Sequence, residues 1–396
     1  MERIYLDSAA TSLIDERVLK KADDFTNMYR DTSKTTGEVF REQKASLAEA
    51  RKAVAHMLGC DAKEIALMQS TSHSLGMLSL ALPLQKGDNV LVCDLEYQAS
   101  VVCWKAAMDK VGFELREVKT TGGRVTAEDF ERYIDKNTKA ILLAAVQEIN
   151  GFRADVKRIG ELAHRHGCYY IVDGIQEAGA LSVNVKELGM DFYCAGGKKW
   201  LGNPFGMGFL YMREGLIGEI KPPYYSYYDI HVPERFGDYL DYLEDPRRHP
   251  FDDYILAGDV SVFETGGHGN FLGAMALTEA IHVLEDVGIK EIEQHNIGLN
   301  RYLYDALSQM GLCMQSPGEE KHMSSIVVFN FNGLKGNNVE KERALLRFLR
   351  ERNIFVTLRC STGLGGVRVS FHHYTTKREV DVFLKAVAEF METSQE

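Results

Sequence analysis

Four groups of residues have the types and spacing to do chemistry. The first is Ala195-Gly196-Gly197-Lys198-Lys199-Trp200. Two glycines ahead of a lysine let the backbone come close to a ligand. A lysine that is to form an imine has to shed its proton, and the adjacent Lys198 cation disfavours a second charge. Taken alone, the same residues also describe a solvated lysine pair in a turn. The second group is Asp173, directly after the apolar run Tyr169 to Val172, with Gln176 three residues on. A carboxylate there lies at the carboxyl end of a sheet, where open α/β folds bind ligands. Held ionised against a pyridine nitrogen, it turns the ring into an electron sink, and Gln176 is placed to donate to a phenolate oxygen. An ordinary helix N-cap competes for this reading of Asp173. The third group, Ser70-Thr71-Ser72, sits between an apolar run and a helical pattern. Backbone N–H groups and hydroxyls make a helix N-terminus an anion site, and a plain Ser/Thr cap is the alternative. The fourth is Arg368 within Gly366-Val367-Arg368-Val369-Ser370. An arginine inside an alternating apolar strand calls for a partner, and a substrate carboxylate is one. The polar face of an edge strand is the other explanation.

These residues need rigid elements to hold them. Ala45 to Leu58 carries apolar positions at helical spacing, with Gly59 able to end the helix. Short apolar runs follow at Ile65 to Met68, Asn89 to Cys93, Phe113 to Val118, Ala140 to Val146, Tyr169 to Val172, Asp191 to Ala195 and Gly208 to Met212. Helical patterns such as Ser100 to Val111 and Val156 to His166 separate most of them. Alternating buried strands and helices predict an α/β unit with a mostly parallel sheet. Residues 222–254 break the pattern with a Tyr-, Pro- and Asp-rich stretch that reads as a long insertion. A helix is expected from Gly273, then strands at Ser325 to Phe331, Ile354 to Leu358 and Gly366 to Phe371, and a last helix from Thr376. The expected division is a large α/β domain at 15–255, and a smaller α+β domain made of 1–14 and 256–396.

The chain of 396 residues is 45% hydrophobic and 26% charged, which suits a large domain plus a smaller one. A net charge of −11 without a run of Lys and Arg argues against nucleic acid and anionic membrane as partners. No signal peptide and no membrane-spanning apolar stretch is read, so a cytoplasmic location is expected. The seven cysteines are scattered without CxxC spacing, so no metal site and no disulfide framework is expected. No GxGxxG follows an early strand, which sets aside a dinucleotide-binding dehydrogenase.

In their order these segments resemble the class V aminotransferase and cysteine desulfurase family of pyridoxal-phosphate (PLP) enzymes. The resemblance runs from Tyr5-Leu6-Asp7-Ser8-Ala9-Ala10-Thr11 through Ala50-Arg51-Lys52, Gln69-Ser70-Thr71-Ser72-His73, Glu96-Tyr97-Gln98-Ala99 and Gln147 to Arg153. It continues through Val172 to Gln176 and Ala195 to Trp200, and ends with Phe263 to Asn270 and Val367 to Ser370. It implies the aspartate aminotransferase-like fold of PLP-dependent transferases, with pyridoxal 5'-phosphate as cofactor and a Schiff base on Lys199. It further implies that Asp173 pairs with the ring nitrogen, Gln176 with the ring oxygen, and Ser70, Thr71 and Ser72 with the phosphate, while Tyr97 stacks on the ring. Arg368 takes the substrate carboxylate, with Asn150 also on the substrate side. The family is dimeric, so a homodimer is implied, with Gly267 and His268 reaching the neighbouring subunit's phosphate. Lys198 stands where the family has His, and Gly196 where it has a hydroxyl, so Lys198 is the candidate to supply phosphate charge.

The reaction implied is at Cα of a small amino acid with a free carboxylate: an aminotransferase, an epimerase, or a C–S or selenocysteine-lyase-like enzyme. A cysteine desulfurase with its own sulfur-carrying thiol is the alternative, yet Leu364 falls where that thiol belongs and Cys360 matches it poorly. A catalytically inactive binding protein on the same fold is the reading outside enzymology.

Overall fold

A computed structural model describes residues 3–28, 30, 34–232, 242, 244–249, 251–264, 269–331 and 339–393. In chain order these residues form β1 (Ile4–Tyr5), α1 (Glu16–Met28), α2 (Thr36–Leu58), β2 (Ile65–Met68), α3 (Thr71–Ala81), β3 (Asn89–Cys93), α4 (Gln98–Val111), β4 (Glu114–Val118), α5 (Ala127–Glu131), β5 (Thr138–Ala144), α6 (Val156–Arg165), β6 (Tyr169–Asp173), β7 (Phe192–Gly196) and β8 (Gly208–Met212). They continue with α7 (Phe271–Val287), α8 (Ile289–Gln309), β9 (Cys313–Met314), β10 (Ile326–Asn330), α9 (Glu340–Glu351), β11 (Ile354–Phe355), β12 (Thr357–Ser361), β13 (Leu364–Ser370) and α10 (Lys377–Thr393).

The large sheet has seven strands in the order β2-β8-β7-β6-β5-β3-β4. Every pairing is parallel except the two made by β8, which runs against β2 and β7. The strands inside the sheet are near-continuous apolar runs because helices cover both faces, while the edge strand β4 (Glu-Leu-Arg-Glu-Val) is largely solvated, and two clusters of buried side chains fill the layers on either side. The alternation read from the sequence and the observed sheet agree. β2, β3 and β8 fall on the expected residues, and the other large-sheet strands shift by one or two. α2 starts well before the expected Ala45 because Thr35 and Glu38 form a capping box, and Gly59 ends it in the left-handed conformation at φ 70°.

The second unit is an antiparallel sheet in the order β12-β13-β10-β9. It packs on α8, α9 and α10 through Leu303, Leu345 and Phe383. The expected strand Ile354 to Leu358 is two strands: β11 pairs with the N-terminal β1, and β12 pairs with β13. α7 buries Ala274, Leu277, Ile281 and Leu284 in the core of the large sheet. We propose that the large unit therefore runs through α7 and not only to residue 255. The Tyr-rich stretch is closed at its base by an antiparallel bridge between Ile230 and Leu256. Glu264 takes both Arg51 Nε and Nη2 at 2.7 Å and the Leu67 amide at 2.9 Å, which ties the approach to residue 265 to α2 and β2. No helix among the described residues is long and apolar enough to cross a membrane.

β13 lies between β12 and β10, and its Gly366 has φ +148°. A Cβ there would stand 2.1 Å from the Phe329 carbonyl oxygen. Gly366→Ala is expected to lower the unfolding free energy by about 2–4 kcal/mol. Gly298→Ala, in mid-helix with nothing within 4 Å of its Cβ, should leave stability unchanged or raise it by up to ~1 kcal/mol. Urea denaturation of the two variants checks the contrast.

Candidate active site

The carboxyl ends of the parallel strands converge on a cavity of about 370 Å³. Five strands lead into it: β2 into Ser70, Thr71 and Ser72, β3 into Tyr97, β5 into Glu148, β6 into Asp173 and β7 into Lys198 and Lys199. β12 and β13 close it with Arg359 and Arg368, and the N-terminal segment adds Ala9 and Ala10. This is where an open α/β sheet binds its ligand.

Lys199 follows β7 in a turn that is held from several sides. Lys198's carbonyl accepts from the Ser12 amide at 3.2 Å and from Thr11 Oγ1 at 3.0 Å, and the Gly202 amide donates to Lys199's carbonyl at 3.0 Å. The next residue, Trp200, is fully buried. Its carbonyl accepts from His372 Nε2 at 2.6 Å, and its indole donates to Gln176 Oε1 at 2.9 Å. Burial lowers His372 to about 3, so the ring is neutral and its Nδ1 accepts from the His373 amide. Burial also brings the Lys199 amine down to about 8. Arg368's charge pushes the same way, Asp173 and Glu148 oppose it, and Lys198 adds the last of these contributions. The neighbouring cation read from the sequence thus acts in the expected direction, but behind burial and a distant arginine.

Asp173 ends β6, buried, with Oδ1 accepting from the Ile175 amide at 2.9 Å and Oδ2 from Ser100 Oγ at 3.4 Å. Burial raises it above the ordinary carboxylate range, against the pull of the Ile175 amide, the Lys199 charge and Ser100. Tyr97 is half exposed, and Lys199 Nζ lies 6.0 Å from its ring centre. Ser70 does act as a cap: its side chain accepts from the His73 amide at 3.1 Å. Thr71 does not. Its Oγ1 is buried with no hydrogen-bond partner among the described residues, beside the first amides of α3, which helix geometry leaves without acceptors. A Cβ at Gly196 would stand 3.4 Å from Thr71 Oγ1 and 3.6 Å from the Thr71 nitrogen, so the glycine keeps this corner open. An unpartnered hydroxyl, free amides and a positive helix end together fit a phosphate. Lys198 lines the same cavity, with its Nζ 5.0 Å from the Phe205 ring centre.

Arg368 is 1% exposed and sits on a central strand, so the edge-strand explanation does not apply. Nη1 donates to Glu148 Oε2 at 2.6 Å, Nη2 to Asp7 Oδ1 at 3.4 Å, and Nε has no partner among the described residues. Burial lowers its pKa while the charges of Glu148 and Asp7 oppose that shift. Glu148 is placed through Gln147, whose Nε2 donates at 3.1 Å to Glu96, a buried acid that also accepts from the Ala144 amide at 2.7 Å. Burial raises Glu96 to about 7.

Two expected site residues do not line the cavity. Asn150 donates to the Gly123 carbonyl at 2.7 Å and accepts from the Phe152 amide at 3.0 Å, which makes it a buried loop brace. Gln176 donates to the Ala9 carbonyl at 3.2 Å and accepts from Trp200, so both ends of its amide already bond to protein. Gly267 and His268 lie outside the described residues. Glu148, Asp7 and Arg359 escaped the sequence reading as chemical groups. The one available signal was a charged residue, Glu148, within an apolar stretch that follows a strand.

A family model described as Aminotransferase class-V matches residues 4–383. A probable cysteine desulfurase of Methanothermobacter thermautotrophicus is 26% identical over 397 residues, spanning 98% of this chain and 94% of that protein. A probable cysteine desulfurase of Halobacterium salinarum is 27% identical over 403 residues, spanning 98% and 91%. Among solved structures, the apo cysteine desulfurase of Thermococcus onnurineus NA1 aligns with a TM-score of 0.85 at 26% identity, covering 99% of this chain and 95% of that one.

A titration of the cofactor-free protein checks the electrostatics. Acylation of Lys199, followed by mass spectrometry, is expected to rise with a midpoint near the lowered value of about 8 and not near 10.5. Removing an anion that favours the ammonium form lowers the midpoint, so Asp173→Asn should shift it down. Arg368→Met removes a repelling cation and should shift it up.

Proposed function

The chain belongs to the class-V aminotransferase family, and from that premise we propose that it is a pyridoxal 5'-phosphate-dependent C–S lyase acting on a small cysteine-type amino acid with a free carboxylate. The observation that carries this reading is one cavity lined by a lysine of lowered pKa, a buried carboxylate, an open helix N-terminus and a buried arginine. The residues fit the cofactor. Thr71 Oγ1 and the amides of Thr71 and Ser72 would hold its phosphate, with Lys198 as the nearby cation. Asp173 would hold its ring nitrogen, Tyr97 would cover its ring, and Lys199 would be the amine that anchors it. When bound, the cofactor supplies an electron sink that stabilises negative charge at the substrate's Cα. The chain's own groups do the rest. Arg368 orients the substrate carboxylate, and Lys199 Nζ, its pKa lowered by burial to about 8 so that it can both give and take a proton near neutral pH, moves the proton at Cα.

The sulfur branch is argued from the cysteines. All seven are among the described residues, and none lines the cavity. Cys360 is exposed on β12, one residue beyond the cavity-lining Arg359, so strand alternation turns it to the other face. Its neighbouring charges are Glu342 and Arg343 of α9. Sulfur therefore leaves without a relay thiol from Cys360. We also propose a homodimer. Phe251 is 90% exposed and Ile255 67%, beside a run of half-exposed tyrosines in the inserted stretch, and apolar groups of this size gathered at a surface mark an interface.

The visible spectrum of the purified protein, recorded with and without cysteine and alanine, tests the assignment. A protein that stays colourless after pyridoxal phosphate is added would sink it. Lys199→Ala is expected to fold normally and lose turnover. Cys360→Ser is expected to release sulfide at the native rate, and loss of release would restore the relay. Arg368→Lys keeps a charge for Glu148 and Asp7 but loses the planar fork, so KM should rise roughly ten- to hundredfold with kcat less affected. Light scattering that returned the mass of a single chain would remove the dimer.

A further inference from the structure

The guanidinium assigned to the substrate carboxylate already holds a carboxylate. Arg368 Nη1 donates to Glu148 Oε2 at 2.6 Å and to Glu148's own carbonyl at 3.4 Å. Charge-assisted hydrogen bonds of that length are among the stronger ones a protein makes. Glu148 lines the same cavity as Arg368, with 15% of its side chain exposed, so an incoming carboxylate meets an arginine that is already paired. Its Oε2 is also 3.7 Å from Nε of Arg359, whose side chain is 40% exposed.

We propose that Glu148 is a specificity-determining residue: it occupies Arg368 in the free protein as an internal competitor, and yields the site only to ligands that also carry an α-amino group. The proposal rests on the role given above to Arg368. A simple carboxylate that enters gains the bonds Glu148 loses, and it adds a third anion beside Glu148 and Asp7 where two arginines face them. Little net attraction remains. An amino acid is held at two points, its carboxylate at Arg368 and its amine at the Lys199 end, and the second attachment makes the exchange favourable. The displaced Glu148 has a new partner within reach in Arg359, so its charge moves from the buried arginine to the exposed one.

Calorimetric titration of the holoenzyme with propionate, a carboxylate without an amine, tests this. Native protein should bind propionate weakly, and Glu148→Gln should bind it about tenfold more tightly, the equivalent of ~1.4 kcal/mol. Glu148→Asp keeps the charge but withdraws it by one methylene. It should give an intermediate gain, and it serves if the glutamine variant does not fold. Adding Arg368→Lys to Glu148→Gln should abolish the gain. Propionate binding unchanged or weaker in both Glu148 variants would mean that Glu148 only props Arg368, and the proposal would fall. A gain that survives Arg368→Lys would place the anion elsewhere and would also overturn it. The visible spectrum of the same samples separates this from failure of the cofactor assignment, because the propionate titration needs no turnover.

Discussion

A lysine amine taken out of water is the constraint on which the rest of this structure depends. Burial is what lowers Lys199, and burial is costly unless the surroundings supply balancing charge. Asp173 and Glu148 supply it, Arg368 works against it, and all of them have to stay fixed in relation to one another. The turn that carries Lys199 is accordingly the most braced segment of the site. The N-terminal segment bonds to Lys198, His372 bonds to Trp200, and Trp200 bonds to Gln176. The chain of contacts continues from Gln176 to the Ala9 carbonyl and from the Ala9 amide to Ser370 on β13. Ser370 is two residues from Arg368 on the same strand. One hydrogen-bonded path thus fixes the lysine of the large sheet against the arginine of the small one.

Read this way, Gln176 and Asn150 have work that differs from the one their sequence motifs imply. Both are buried amides with partners at each end, and both hold backbone. Buried polar groups that are fully paired tend to specify geometry. Here the geometry is that of the Gly123 loop at one rim of the fold and of the Lys199 turn at its centre.

The large sheet was legible in the sequence because its strands are short, continuous apolar runs between turns, and Ile65 to Met68 and Gly208 to Met212 need no tertiary context to be read. Lys199, Asp173 and Thr71 were legible as candidates because each lies at the end of a strand or within three residues of it. What escaped depends on distance along the chain. Glu148 meets Arg368 across 220 residues, and a lone glutamate between Gln147 and Ile149 gives no local hint of that pairing. The break at Val356 that splits β11 from β12 is invisible for the same reason, since β11 is defined by a partner at residues 4 and 5. Helix α1 went unread although Val18, Ala22, Phe25 and Met28 stand at helical spacing, because it buries only Val18 and Phe25 and its stripe is narrow among charged residues.

The pairing of β1 with β11 has a consequence for how the molecule comes into being. Synthesis runs from the N-terminus, so the first strand leaves the ribosome hundreds of residues before the strand it joins. The large sheet can assemble from neighbouring segments in that interval, with Lys199 already on its edge. Arg359 and Arg368 reach the cavity, and Asp7 reaches Arg368, only when the last strands have formed. Contacts of such long separation close late. The half-made chain thus has Lys199 and the open end of α3 but not Arg368, and the proposed amino-acid site is completed only with the final tenth of the polypeptide.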